Sequence, residues 1–188
     1  MNFNKHYDLE GKHAFLSPSK VSWIRYSKDD MRNSFYNAMA AARGTKLHAI
    51  AKDLINEGIK VRGNKQTFAA YVNDAIGYGM TPEQPLYFSQ NCFGTTDAIC
   101  YKPGVLRIHD YKSGTTPAHM EQLEIYAALF MLEYERSLSI RTDSTKVILR
   151  IYQNDDVIEE ELDPEKVEAI MAIIREKDEW VDELRMEN

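Results

Sequence analysis

The sequence predicts an α/β or α+β fold, with a central mixed β-sheet flanked by helices. Three patterns carry this prediction. Two strand-like runs, Thr95 to Tyr101 and Val105 to Lys112, flank Lys102-Pro103-Gly104, which is turn chemistry, so they read as an antiparallel hairpin. A second pair, Lys146 to Tyr152 and Val157 to Leu162, flanks Asn154-Asp155-Asp156 in the same way. Stretches with a helical 3.6 period lie before, between and after these pairs. The resulting order is helix, strand, hairpin, helix, hairpin, helix.

Taken from the N-terminus, residues 1–16 read as an irregular arm. Ser17-Pro18-Ser19 reads as a helix start, with Ser17 as the N-cap and Pro18 at the first helical position. That short helix carries Lys20, Arg25 and Lys28 beside Trp23 and Ile24; its lysines either track a phosphate backbone or simply face water. Residues 30–57 form a long helix with a break at Gly44 open. Leu47, Ala51, Leu54 and Ile55 make its apolar stripe, and Gly58 stops it. Gly44 and His48 are stacked one turn apart at the stripe's edge, where glycine, costing about 1 kcal/mol against alanine, suggests close approach by another element. A helical histidine beside a core stripe is more often a packing residue than a ligand.

Lys60 to Lys65 is a basic loop ahead of a helix from Thr67 to Ile76, whose Phe68, Tyr71 and Val72 fit a core face better than a base-stacking surface. Gly77 to Pro85 reads as loop, and Leu86 to Phe93 as the strand that feeds the central hairpin. His119 to about Arg136 is a helix that buries Met120, Leu123, Tyr126, Ala127, Phe130 and Met131. Gln122 and Tyr126 sit at i and i+4 on it, so a polar amide and a phenol point the same way. They either satisfy a single core hydrogen bond or reach the end of the hairpin. Asp163-Pro164-Glu165 opens a final amphipathic helix, acidic over 163–188.

Parity singles out the chemistry. If Pro103-Gly104 is a two-residue loop, Lys102 pairs with Val105, and counting outward sets Asp97 opposite Asp110; Pro-Gly suits a type II turn better than the primed hairpin turns, so a register slipped by one stays open. Leu106, Ile108, Asp110 and Lys112 share one face, with Thr95, Asp97, Ile99 and Tyr101 facing alongside. An apolar face therefore ends in two carboxylates and an ammonium. Like charges directly opposite each other destabilise a sheet, and a half-buried pair needs a proton or a cation. An isolated Asp-x-Lys is a solvated strand end; the second aspartate turns the reading toward a divalent-metal site.

Composition sets the limits. At 188 residues the chain reads as one domain, 44% hydrophobic and 28% charged, with ordinary globular balance. No apolar run approaches the ~20 residues of a membrane span, and a signal-peptide pattern is missing, so a reducing cytoplasm is expected. Two cysteines provide neither a disulfide framework nor an iron–sulfur ligand set. The net charge of −6 is uneven: residues 153–188 hold 14 Asp and Glu against 4 Lys and Arg, and residues 1–152 hold 15 against 19. A mildly basic body leaves room for a phosphate-binding face. A Walker A lysine loop is missing, which argues against ATP-driven unwinding.

Four separated features, in order, resemble one family. Gly44-Thr45-Lys46-Leu47-His48, Gly94-Thr95-Thr96-Asp97, Asp110-Tyr111-Lys112 and Gln122-Leu123-Glu124-Ile125-Tyr126 are similar to the motifs of the PD-(D/E)XK nuclease superfamily, in its RecB-like and phage exonuclease branch. Leu16-Ser17-Pro18-Ser19-Lys20 resembles the usual opening of that branch. Thr96 stands where the superfamily's name has proline, and the cysteines of the adaptation nucleases' iron–sulfur cluster are missing.

The resemblance implies a restriction-endonuclease-like core and a Mg²⁺- or Mn²⁺-dependent deoxyribonuclease, more an exonuclease than a sequence-specific endonuclease, in DNA recombination, repair or processing. It implies His48, Asp97, Asp110 and the carbonyl of Tyr111 as metal ligands. Lys112 would deprotonate or orient the attacking water, and Gln122 and Tyr126 would complete the site against a phosphate. Lys20, Arg43, Lys46, Arg62 and Lys65 are the candidate DNA contacts. DNA is the expected partner, and members of the branch work alone, as rings or beside a single-strand annealing protein. The alternative is a DNA-end-binding or scaffold subunit with a vestigial site; a metal hydrolase acting on RNA is a third, weaker reading.

Overall fold

The computed structural model describes residues 4–63 and 67–187. They divide into two compact units, 1–43 and 44–188. In the first unit, short 3₁₀ turns cover Tyr7–Leu9 and Val21–Arg25, and helix α1, Lys28–Asn56, begins. The expected helix start at Ser17 is instead a turn, closed by the Lys20 N–H donating to the Ser17 carbonyl (2.9 Å), and only 3₁₀ structure follows it. The indole of Trp23 donates to the same carbonyl (2.9 Å), so Ser17 caps a tight corner rather than an α-helix. α1 itself begins with a reciprocal cap: the Ser27 and Asp30 side chains bond each other's backbone N–H groups.

The second unit is a five-stranded sheet with helices on both faces. Its strands are β1 (Thr81–Ser89), β2 (Cys92–Lys102), β3 (Val105–Tyr111), β4 (Lys146–Gln153) and β5 (Asp156–Leu162), adjacent in that order. β3 and β4 are parallel, and every other neighbouring pair is antiparallel. The parallel step requires a crossover, which α3 (Glu121–Tyr134) supplies. β4 is buried almost continuously, as expected for a strand covered on both faces; β5 leaves Glu159 and Glu161 exposed at the sheet edge, which blunts it against further pairing.

On one face Leu86, Ile99, Leu106 and Ile108 pack against α3 and α4 (Pro164–Met186). On the other, Ala98, Tyr111 and Tyr152 pack against α2 (Thr67–Tyr78) and the Ala51–Ile55 turn of α1. α1 runs through Gly44 without a break. α4 starts where the sequence places it: the Asp163 carboxylate caps the Glu165 N–H (2.9 Å), with Pro164 at the first helical position.

The stretch read as loop is the main correction. α2 continues to Tyr78, and β1 begins at Thr81, taking in Pro82 and Pro85. β1 is an edge strand, which tolerates proline because only alternate N–H groups of an edge strand serve the ladder. The strand expected over Leu86 to Phe93 straddles the turn at Gln90-Asn91 instead. α3 also starts later than His119, because Met120 sits at its N-cap position.

Candidate active site

The site is built at one end of the sheet. The register of the central hairpin is Lys102↔Val105 through Ala98↔His109. Gly104 has φ +82, the value a type II turn needs at its third position. One step beyond the last pair, the register sets Asp97 opposite Asp110. There the Tyr111 N–H donates to Asp97 Oδ2 (2.8 Å), so a carboxylate takes the bond a main-chain carbonyl would otherwise accept.

His48 reaches this point from α1. Its Nδ1 lies 3.3 Å from Asp97 Oδ1 and 3.8 Å from Glu83 Oε1. One ligand atom from each of His48, Glu83 and Asp97 falls within 4.8 Å of the others. A hydrogen bond donated to the Asp97 carboxylate raises the pKa of His48, opposed by burial and helped by the charges of Asp97, Glu83 and Asp110. α1 can come this close because position 44 is glycine: a Cβ there would lie 3.1 Å from Ser113 Oγ.

Asp110 is 2% exposed. The Lys112 ammonium is 3.1 Å from both of its oxygens, but hydrogen-bond geometry holds only at Oδ1, leaving Oδ2 buried without a hydrogen bond. Burial first, and then the charge of Asp97, push the Asp110 carboxyl up to about 6, against the pull of Lys112 and His48. Lys112 also donates to Gln122 Oε1 (3.1 Å), and Gln122 Nε2 donates to the Tyr126 hydroxyl (3.2 Å). A chain of side-chain contacts thus runs from Asp110 through Lys112 and Gln122 to Tyr126. Gly94 makes room for its last member, since a Cβ at Gly94 would sit 2.9 Å from the Tyr126 ring.

Sequence reasoning missed two members. Glu83 lies in the stretch read as loop, yet β1 pairs Pro82↔Ala98 and Gln84↔Thr96 on either side of it, which sets it opposite Asp97. Its φ of +50 is in the left-handed region, a conformation that costs a non-glycine residue roughly 1–3 kcal/mol. The signal was a carboxylate between two prolines, readable only once β1 is known to be a strand. Gln153, at the end of β4, accepts from the Ala118 N–H (3.0 Å) and donates to the carbonyls of Gly114 (2.7 Å) and Thr116 (2.8 Å). It pins the segment that follows Lys112.

Beneath Asp110, His109 is fully buried with its pKa lowered to about 3, by burial first and then by Arg150 and Arg107. The Tyr152 hydroxyl spends its one proton on Asp74 Oδ2 (2.8 Å), so the His109 Nδ1–H donates to the Tyr152 oxygen (3.2 Å). His109 is therefore a neutral packing residue and adds no cation beside Asp110.

A scan of the chain against models of known protein families finds no match, and a search of curated proteins finds none either. The chemistry of the site has to come from its own residues. The two carboxylates and one imidazole of the His48–Glu83–Asp97 group, with the Asp110 carboxyl opposite Asp97, suit an oxygen-preferring divalent cation such as Mg²⁺ or Mn²⁺ better than zinc. The candidate DNA contacts are divided between the two units. Lys20 and Arg43 are exposed in the first unit, Lys46 and Arg62 are exposed in the second, and Lys65 lies outside the described residues. No helix among the described residues is long and apolar enough to cross a membrane.

Proposed function

We propose that the chain is a Mg²⁺- or Mn²⁺-dependent deoxyribonuclease, acting as an exonuclease, of the PD-(D/E)XK kind. One observation carries this reading: His48, Glu83 and Asp97 bring one ligand atom each within 4.8 Å of the others, and buried Asp110, set opposite Asp97 by the hairpin register, starts a lysine–glutamine–tyrosine chain. Uncompensated, that much negative charge opposes folding. His48, Glu83, Asp97 and Asp110 would hold the cation, with the Tyr111 carbonyl as the further ligand the resemblance implies. Bound there, the cation supplies charge neutralisation at the phosphate and a more acidic water.

The side chains do the rest. Lys112, shared between Asp110 and Gln122, would orient or deprotonate the attacking water and offset charge developing on the phosphoryl oxygens. Gln122 and Tyr126 offer polar groups to the phosphate on the α3 side. The resemblance to the phage exonuclease branch favours end-dependent digestion over sequence-specific cleavage.

The test is digestion of end-labelled linear and closed circular DNA with Mg²⁺, Mn²⁺ or EDTA, by the intact chain and by Asp110→Ala. Metal-dependent loss of linear DNA only, abolished by the substitution, is the expected result. DNA binding with no cleavage under any metal would point to an end-binding subunit instead, and defined cuts in circular DNA to an endonuclease.

A further inference from the structure

The first unit carries chemistry that the sheet-end site does not use. Residues 1–43 hold 7 Lys and Arg against 4 Asp and Glu, a balance of +3, whereas the remaining residues carry −9. Within this unit lies a groove of about 630 Å³, walled by Phe15, Tyr26, Phe35 and Tyr36 with Lys28 and Arg32 at its edge. Phe15 and Phe35 meet edge to face at 5.4 Å, and Phe35 and Tyr36 at 6.1 Å, so the rings hold fixed angles rather than collapsing onto one another. Phe35 is 46% exposed and Tyr36 64% exposed. On the other side of Phe15 and Tyr26, a smaller hollow of about 120 Å³ adds Lys20 and Trp23.

We infer that this groove is a docking surface for single-stranded nucleic acid. The argument is complementarity of two kinds. Aromatic faces left open at fixed angles offer stacking platforms, which any unpaired base can use and a paired base cannot. Cations at the rim, on the one positively charged unit of an acidic chain, match a phosphate backbone. Arg32 pairs with Asp29 (3.2 Å), but a purely apolar partner would leave Lys28 without a role, and a duplex presents no base faces to the rings. The inference deepens the proposed function by naming a single strand as the substrate form, and in that respect rests on it.

The experiment uses the full chain carrying Asp110→Ala, in EDTA, with fluorescence anisotropy of a labelled 30-residue oligothymidylate and of a duplex of equal length at two salt concentrations. Oligothymidylate should bind more tightly than duplex. Tyr36→Ala and Phe35→Ala should each weaken it roughly five- to 150-fold, and Lys28→Glu should weaken it while flattening the salt dependence. Tyr36 is mostly exposed and Lys28 makes none of the ring contacts, so these two variants keep the test clean if Phe35→Ala unfolds. Unchanged affinity in both, or a preference for duplex, overturns the inference. So does a loss of self-association by light scattering with DNA affinity intact, which would make the groove a contact between copies. Digestion is scored separately with Asp110 restored. Metal-dependent digestion with Tyr36-independent binding overturns the groove alone; Tyr36-dependent binding without digestion supports the groove and overturns the nuclease reading alone.

Discussion

Asp110 sits where a carboxylate is least welcome: it is buried, with one oxygen lacking a hydrogen bond and a second aspartate nearby. Its pKa of about 6 in the fold exceeds the ordinary 3.8, so between those values the folded chain holds a proton that the unfolded chain has released. Stability therefore falls as pH rises through that window, which is the reverse of the usual carboxylate case. A shift of about two pH units corresponds to roughly 3 kcal/mol. In EDTA, Asp110→Asn should match the native chain near pH 4 and exceed it by about that amount near pH 7.5 in urea unfolding. Parallel pH profiles for the two proteins would mean that Asp110 is not strained in the ion-free fold. His48 pulls the same way at higher pH: its raised pKa favours the protonated fold, and that contribution is lost as pH rises past the raised value. Both contributions are therefore lost as pH rises.

At the scale of elements, α3 and β2 approach so closely that Gly94 and Tyr126 are fitted to each other. Gly94→Ala should push the Tyr126 ring aside, cost about 1–3 kcal/mol of stability, and break the alignment of Gln122 with Lys112. Adding Tyr126→Ala removes the obstacle, so the double variant should regain stability over the single one in thermal melts without regaining activity. If the double variant is no more stable, the contact is not what position 94 is for. Elements of this kind were unequally legible. The central hairpin could be read because its Pro103-Gly104 turn and its parity are local, and they set Asp97 opposite Asp110 before any packing is known. β1 could not, because Pro82 and Pro85 argue against a strand until its place at the sheet edge is known. With β1 unread, Glu83 had no register and so no place in the site. Gln153 falls between the strand read to Tyr152 and the turn read from Asn154; its three bonds to the segment after Lys112 depend on the parallel pairing of β3 with β4, which no local pattern announces.

Across the molecule, the candidate ligands come from four different elements: His48 from α1, Glu83 from β1, Asp97 from β2 and Asp110 from β3. The sequence made three of these residues visible as separate motifs, but only the sheet order makes them neighbours. A cation held by such a set binds the folded chain and not the unfolded one, so it acts as a cross-link that stabilises by mass action. At 100 times its dissociation constant it should add about 2.7 kcal/mol. For a chain of this length each kcal/mol moves the melting midpoint by about 2–4 °C, so Mg²⁺ or Mn²⁺ should raise Tm over EDTA by roughly 5–10 °C. Excess chelator should reverse the shift. Asp97→Asn and His48→Gln should abolish most of it, and Glu83→Asn, which tolerates the left-handed backbone, should reduce it without lowering the Tm measured in EDTA. Arginine-rim variants of the first unit, such as Arg32→Glu, should leave the shift intact. A metal shift equal in the native chain and all three ligand variants would mean that the ion binds the acidic surface generally, and the convergence of four elements on one point would then serve the fold alone.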